Sequence, residues 1–357
     1  MQQAKRRRQR FQTFLCESTA ANDVDQIIDA LEALYPTAGL DQRIALSRKD
    51  GYWPFIQKGE DPPQEFVYGE FDLTFFSQVL EQAATYSNNG TGDANRNFGS
   101  ETSTQSPWKG KVFTDIGSGT GRLVLAAAAL HPWKVCRGVE LLEGIHAGAV
   151  ETLQKCCQER FASSGADVPK EMSSSSAMLS MSNDNISIPL APVELKCGSF
   201  DDPYEFFGDS DLIFVFSSCM NTHILINLAQ SIGRQCKPGC LVLTTEYHLP
   251  LGGNVGPLTD DPDYPSGEYA LELLESITGT NEATGGESTV HIHRVTKALG
   301  TGIPRERPKL SVSEICYRAI KEAEDPSKND PRDFLRCVSN QMAFIGLPDS
   351  WRPTLPQ

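Results

Sequence analysis

The stretch Lys111–Arg122, KVFTDIGSGTGR, constrains this chain more than any other. Val112, Phe113 and Ile116 predict a short buried strand, and glycines at 117, 119 and 121 follow at once. A helix is predicted to start near Thr120. Glycine lets the backbone bend sharply and approach a ligand with no Cβ in the way. The start of the next helix leaves N–H groups unpaired and aimed at whatever sits there. A dinucleotide fold would want G-x-G-x-x-G, its third glycine packing helix on strand and a pyrophosphate on the helix end. Here the third glycine comes one place early, and Arg122 stands where it should be. Asp115, just before the turn, suits a ligand bearing an ammonium group and would repel a diphosphate.

The following residues extend the pattern. A helix rich in Ala and Leu (Leu123–Leu130) leads to a second strand, Val135–Val139, ending in Glu140. A carboxylate at that strand tip accepts hydrogen bonds from both ribose hydroxyls of an adenosyl ligand. The D-x-G-x-G-x-G spelling of Asp115–Gly121 resembles motif I of the class I S-adenosylmethionine (SAM) methyltransferases, which implies SAM as the cofactor.

Length and composition set the bounds. A chain of 357 residues has room for one large domain with additions, or for two modest ones. The net charge of −14 argues against a generally basic, nucleic-acid-gripping surface and leaves only a local patch, Lys5–Arg10. No run of eighteen apolar residues exists, so no membrane span is predicted. The ten cysteines form no C-x-x-C pair and several sit in apolar runs. Free thiols in a reducing compartment, nucleus or cytoplasm, are expected. Cys236, Cys240 and Cys156–Cys157 lack a supporting histidine pattern, so no metal site is expected.

Along the chain, residues 1–10 are a basic tip, either a solvated end or a targeting or phosphate-contacting tail. Val24–Leu34 has helical spacing, with Asn22 or Asp23 as cap and Pro36 as stop; Gln42–Arg48 suggests a second helix. Tyr68-Gly69-Glu70 is a turn, after which Phe71, Phe75, Val79 and Leu80 share a helical face. A turn there would lie over the cofactor, with Tyr68 and Glu70 near its amino-acid end. Residues 86–107 and 163–187, rich in Ser, Asn and Gly, predict disordered inserts. Strands are predicted at Val193–Cys197, Asp211–Phe216 and Gly239–Thr245, with a helix over Asn221–Gln235. Tyr269–Ile277 and Ser288–Val295 alternate at period two and predict a hairpin. The expected fold is α/β: a doubly wound, mostly parallel seven-stranded sheet with an antiparallel C-terminal hairpin. The expected divisions are a helical lead-in over 1–59, the main domain over 60–300 and a helical extension over 301–357. That extension would hold helices near Ser313–Ala323 and Arg332–Phe344.

Five segments resemble a narrower family. VYGE (Val67–Glu70), DIGSGTG (Asp115–Gly121), GVE (Gly138–Glu140), the turn Gly198–Phe200 and DLIFV (Asp211–Val215) follow the order of the Dot-type (disruptor of telomeric silencing) histone lysine methyltransferases. The resemblance covers roughly residues 60–297. It implies that Tyr68 and Glu70 close over SAM, and that Asp115, Gly117 and Gly119, in a turn with Ser118 and Gly121, hold its amino-acid moiety. It places Glu140 on the ribose and Phe200 against the adenine. Ser199 stands where the family has an acid, and is a weaker acceptor. Where the family's lysine channel has Asn-Asn-Phe, this chain has Phe216-Ser217-Ser218. The family's basic DNA-contacting extension is missing apart from residues 5–10.

The acceptor implied is a protein lysine, possible substrates being a histone or nucleosome; another acceptor on the same scaffold, or a non-catalytic SAM binder, are the alternatives. Tyr68, Phe216, Ser217 and Tyr247 are the candidate catalytic residues. Ligands of open α/β sheets sit beyond the carboxyl ends of the strands. Glu140, Phe200, Ser217, Ser218, Glu246, Tyr247 and His248 are therefore expected around one crevice. A lysine loses its proton on desolvation in an apolar channel, for which Phe71, Phe216 and Tyr247 are candidates. An oxygen acceptor would want a base, His248 or Glu246. His291 and His293 share a strand face but have no third ligand in the sequence pattern.

Overall fold

The computed structural model describes residues 24–63, 66–87, 106–157, 171–175, 177–180, 187–258, 261, 264–281, 286–307 and 343. The chain divides into units 1–304 and 305–357. The helices expected at 313–323 and 332–344 fall outside the described residues, as do the basic tip and most of the first insert.

The lead-in is helical: α1 (Val24–Leu34), α2 (Leu40–Gly51) and the single turn α3 (Trp53–Ile56). Then come α4 (Leu73–Ser87), β1 (Val112–Ile116), α5 (Arg122–Leu130), β2 (Val135–Glu140) and α6 (Glu143–Cys156). Three short strands follow: β3 (Glu171–Ser174), β4 (Met178–Ser180) and β5 (Ser187–Pro189). The sheet resumes with β6 (Val193–Cys197), β7 (Leu212–Val215), α7 (Thr222–Gln235) and β8 (Leu241–Thr245). It ends with β9 (Gly252–Val255), β10 (Gly267–Asn281) and β11 (Gly286–Lys297).

Among the described residues the main sheet has nine strands in the order β3-β6-β2-β1-β7-β8-β11-β10-β9. The inner strands β6, β2, β1, β7 and β8 are parallel, and the β10–β11 hairpin is antiparallel. Strands β1, β7 and β8 are buried along their whole length, as near-continuous apolar strands covered on both faces must be. Residues alternate between two cores: Phe113, Phe214 and Leu243 join one with α1 and α4–α6, while Ile116, Val215 and Val242 join the other with α7.

The seven strands expected are present, and two edge strands correct the count. β3 lies inside the stretch expected to be a disordered insert and pairs antiparallel with β6. Its serines disguise an alternation in which Met172 and Ser174 point inward. At the other edge β9 pairs with β10, but its Gly-Gly-Asn start carries no apolar alternation to announce a strand. The chain runs outward from β1 to β2 and β6, then returns to β7 on β1's other side. Such a reversal opens a crevice at the carboxyl ends of β1 and β7, and the glycine turn sits there. No helix of the described residues is long and apolar enough to cross a membrane. The seven cysteines among them are all unbridged.

Candidate active site

A cavity of about 340 Å³ occupies that crevice. Its floor is the turn after β1 and the tip of β2, one end is the 198–201 turn after β6, and residues 66–71 cover it. Tyr68, Glu70, Asp115, Gly117, Ser118, Gly119, Glu140, Ser199, Phe200 and Phe216 all line it. Ten sequence-predicted residues are thus brought together from five separate segments.

The floor is built by backbone geometry. Gly119 has φ +55, and a Cβ there would lie 2.8 Å from the Tyr68 ring. Only glycine admits both the conformation and the approach. Its N–H donates to Glu140 Oε2 at 2.8 Å, while Leu142 N donates to Glu140 Oε1 at 2.8 Å. The β2 carboxylate is therefore aimed by the glycine turn itself. Gly121, expected to touch cofactor, instead precedes α5 and faces Ala149 and Leu195, so it packs the helix onto its neighbours.

Two buried carboxyls face each other across this floor. Asp115 is 2 % exposed, and burial, with the nearby Glu140 charge, pushes its pKa up to about 8. Burial also raises Glu140, opposed by hydrogen bonds from the Leu142 and Gly119 amides. A buried like-charged pair resists full ionisation, and a cation between the two relieves it. SAM carries an α-ammonium and a sulfonium, so this donor set fits it. Asp115 and Glu140 would hold its charged and ribose parts, beside an open approach over Gly117, where a Cβ would meet nothing within 4 Å.

The cover is held by a polar clasp. Tyr68 Oη donates to Glu70 Oε1 at 2.9 Å and pairs with Thr120 Oγ1 at 2.9 Å. Burial, then the Glu70 charge, pushes the Tyr68 phenol well up, so it remains a donor. Arg43 Nε reaches Glu70 Oε1 at 2.6 Å, and Arg122 Nε lies 3.9 Å from Oε2. Arg122 also donates to the Phe71 carbonyl at 2.6 Å. The sequence marked Arg122 only as the residue displacing a glycine; Arg43, on a separate helix, carried no signal beyond its charge.

At the far end Ser199 Oγ accepts from Asp201 N at 3.2 Å, a local turn, and Phe200 lines the wall. Asp201, missed by sequence reasoning, lines it too, with its pKa raised by burial against the pull of His223. An acid therefore borders this end two positions after Ser199. At the other end, the Phe216 ring packs so closely on Gly69 that a Cβ there would sit 2.9 Å away. It meets Phe71 edge-on at 5.6 Å; Met220 and Ile224 also line the cavity.

Several expected residues lie elsewhere. Ser217 is fully buried and turned into the sheet, where Oγ donates to Thr245 O at 2.7 Å and accepts from Thr245 N at 3.0 Å. It ties β7 to β8 and does not reach the cavity. Tyr247 is 51 % exposed and lines none of it, nor do Ser218, Glu246 and His248. The cause is the turn after β8: Glu246 has φ 62, and its N–H donates to Thr289 O at 2.7 Å, drawing the chain toward β11. His248 packs against His291, ring centroids 6.0 Å apart, and no metal-binding group exists among the described residues.

Fold and site together resemble those of the class I SAM-dependent methyltransferases. Residues 73–186 match the family described as histone methylation protein DOT1, so the Dot-type resemblance holds through the glycine turn and Glu140. The curated proteins return no sequence match. Similar solved structures include MtNAS in complex with MTA and tNA, 11% identical, covering 52% of this chain and 54% of that one, TM-score 0.30. A S-adenosylmethionine-dependent methyltransferase from Clostridium acetobutylicum is 10% identical over 64% of this chain and 93% of its own, TM-score 0.35. TrmN from Thermus thermophilus is 14% identical over 52% and 44%, TM-score 0.33. The chain thus spans about half the length of MtNAS. The resemblance rests on the site and the family match, not on these likenesses.

Proposed function

We propose that this chain methylates a lysine side chain of a protein, with a histone in a nucleosome as the favoured acceptor. The carrying observation is the apolar lining supplied by Phe71, Phe216, Met220 and Ile224 beside the carboxylate floor, with no histidine or lysine among the described lining residues. Glu70 is tied to two arginines, and Tyr68 is a protonated donor. Such a site suits an acceptor that sheds its own proton. An ammonium entering an apolar channel is desolvated, which lowers its pKa and frees the amine.

SAM, when bound, supplies the electrophilic methyl group. The chain's own residues then do the work of alignment, which dominates an in-line displacement. Asp115 and Glu140 fix the cofactor's charged and ribose ends. The Tyr68–Glu70 clasp excludes water, and Asp201 offers the acceptor at the adenine end that Ser199 lacks. Phe216 and Phe71 flank the incoming amine.

The family match ends at residue 186, before the Phe216 wall, and Ser217 is committed to the sheet. A different protein or small-molecule acceptor is therefore the second reading. Labelled SAM with nucleosomes, free histones and a cell extract tests both. Label on nucleosomal lysine supports the first, label on another molecule the second. Cofactor binding with no transfer to any of them refutes both. A nucleosomal acceptor places the protein in the nucleus, which imaging of the tagged chain checks.

A further inference from the structure

Helix α2 belongs to the stretch expected to be a helical lead-in packed on the main domain, and its contacts lie on the cavity. Its buried residues are only Ser47 and Gly51, so apolar burial does little to hold it. Polar contacts replace it. Arg43 reaches Glu70 at 2.6 Å, Ser47 Oγ donates to the Phe66 carbonyl at 2.6 Å, and Asp50 accepts from Gly144 N at the start of α6. Positions 43, 47 and 50 follow i, i+4, i+7 spacing and share one helical face. One end of that face grips the cover over residues 66–70, and the other grips the segment that follows Glu140. Tyr35, just after α1, donates to the Thr120 carbonyl at 2.8 Å and so reaches the glycine turn as well. A helix docked mainly for packing would present leucines here. This one presents a guanidinium, a hydroxyl and a carboxylate, each engaged with a different part of the cavity wall.

We propose that α2 is an integral wall of the cofactor site, and that Arg43 is the positioning residue that holds Glu70, and through it Tyr68, in place over SAM. Arg43 does not line the cavity, so its effect passes through Glu70. Arg43 Nε and Tyr68 Oη share one oxygen of Glu70, and the Tyr68 ring in turn lies on Gly119. Loss of the guanidinium leaves the part-buried Glu70 with the longer Arg122 contact as its described ion pair, beside the Tyr68 hydrogen bond, and frees the cover to open. The inference rests on SAM being the cofactor.

The test uses the full chain with Arg43→Ala, Glu70→Gln and the double variant, titrated calorimetrically with SAM, with thermal unfolding as a check. Arg43→Ala should weaken SAM binding about tenfold or more, and add little once Glu70→Gln is present, as coupled partners do. Amide exchange over 66–70 in the cofactor-free protein should quicken, and added guanidinium ion should restore part of the affinity. Should Arg43→Ala fail to fold, Arg43→Gln carries the same comparison. Wild-type affinity in the Arg43 variant, or an equal further loss in the Glu70→Gln background, would overturn the role given to Arg43 while leaving the cofactor reading intact. Absence of SAM binding by the unmodified chain would overturn both.

Discussion

Replacing Asp115 with Asn should stabilise the cofactor-free protein at alkaline pH while removing its grip on SAM. Asp115 is 2 % exposed, and its pKa is pushed up to about 8 by burial and by Glu140. In the unfolded chain the same carboxyl titrates at about 4. A raised carboxyl pKa means that the folded state holds a proton the unfolded state has lost. Its contribution is fully present below the unfolded pKa and drains away as pH rises toward the folded one. The slope is about 1.4 kcal/mol per pH unit across that window. Between pH 5.5 and pH 8 the unmodified protein should therefore lose roughly 3 kcal/mol relative to Asp115→Asn, whose amide does not titrate. Urea unfolding of both proteins at several pH values measures the difference directly. A gap that widens with pH and then levels off near pH 8 is expected. A gap that stays constant from pH 5.5 to 8.5 would refute the claim that Asp115 is held protonated by its surroundings.

The same carboxyl predicts proton release: calorimetry at pH 6.5 in buffers of different ionisation heat should show up to one proton leaving per SAM bound, and heats that do not depend on the buffer would contradict it. Gly119→Ala places a Cβ 2.8 Å from the Tyr68 ring at φ +55, so it should abolish SAM binding and cost about 1–3 kcal/mol of stability in urea unfolding. Ser217→Ala should cost about 1–3 kcal/mol through its lost contacts to Thr245, with kcat preserved in the fraction that stays folded. Tyr247→Phe, at an exposed position off the cavity, should change neither stability nor kcat in steady-state assays.

The cofactor half of this site was legible because its chemistry is local in sequence. A strand, three glycines and an acid within a dozen residues determine both the bend and what it faces, and Glu140 follows at the tip of the adjacent strand. Tyr68 and Glu70 were legible as a motif, but their clasp was not. Arg43 and Arg122 come from two other helices, and no periodicity pairs a surface-looking arginine with a distant glutamate. Ser217 and Tyr247 failed for a different reason. The strand-end rule gives the correct rim of the sheet, but not which way a side chain turns once the strand stops. Ser217 is captured by the Thr245 backbone, and the turn at Glu246 carries Tyr247 outward. The edge strands were hidden in the same way: serines in β3 and glycines in β9 pair through backbone groups that composition does not show.

The central claim is that Asp115 and Glu140 flank a bend shaped for a positively charged adenosyl cofactor. A calorimetric titration at pH 8, of SAM and separately of a nicotinamide dinucleotide, tests it most directly. One-to-one binding of SAM that disappears in Asp115→Ala and Glu140→Ala is the predicted result. Binding of the nicotinamide dinucleotide with none of SAM would contradict it.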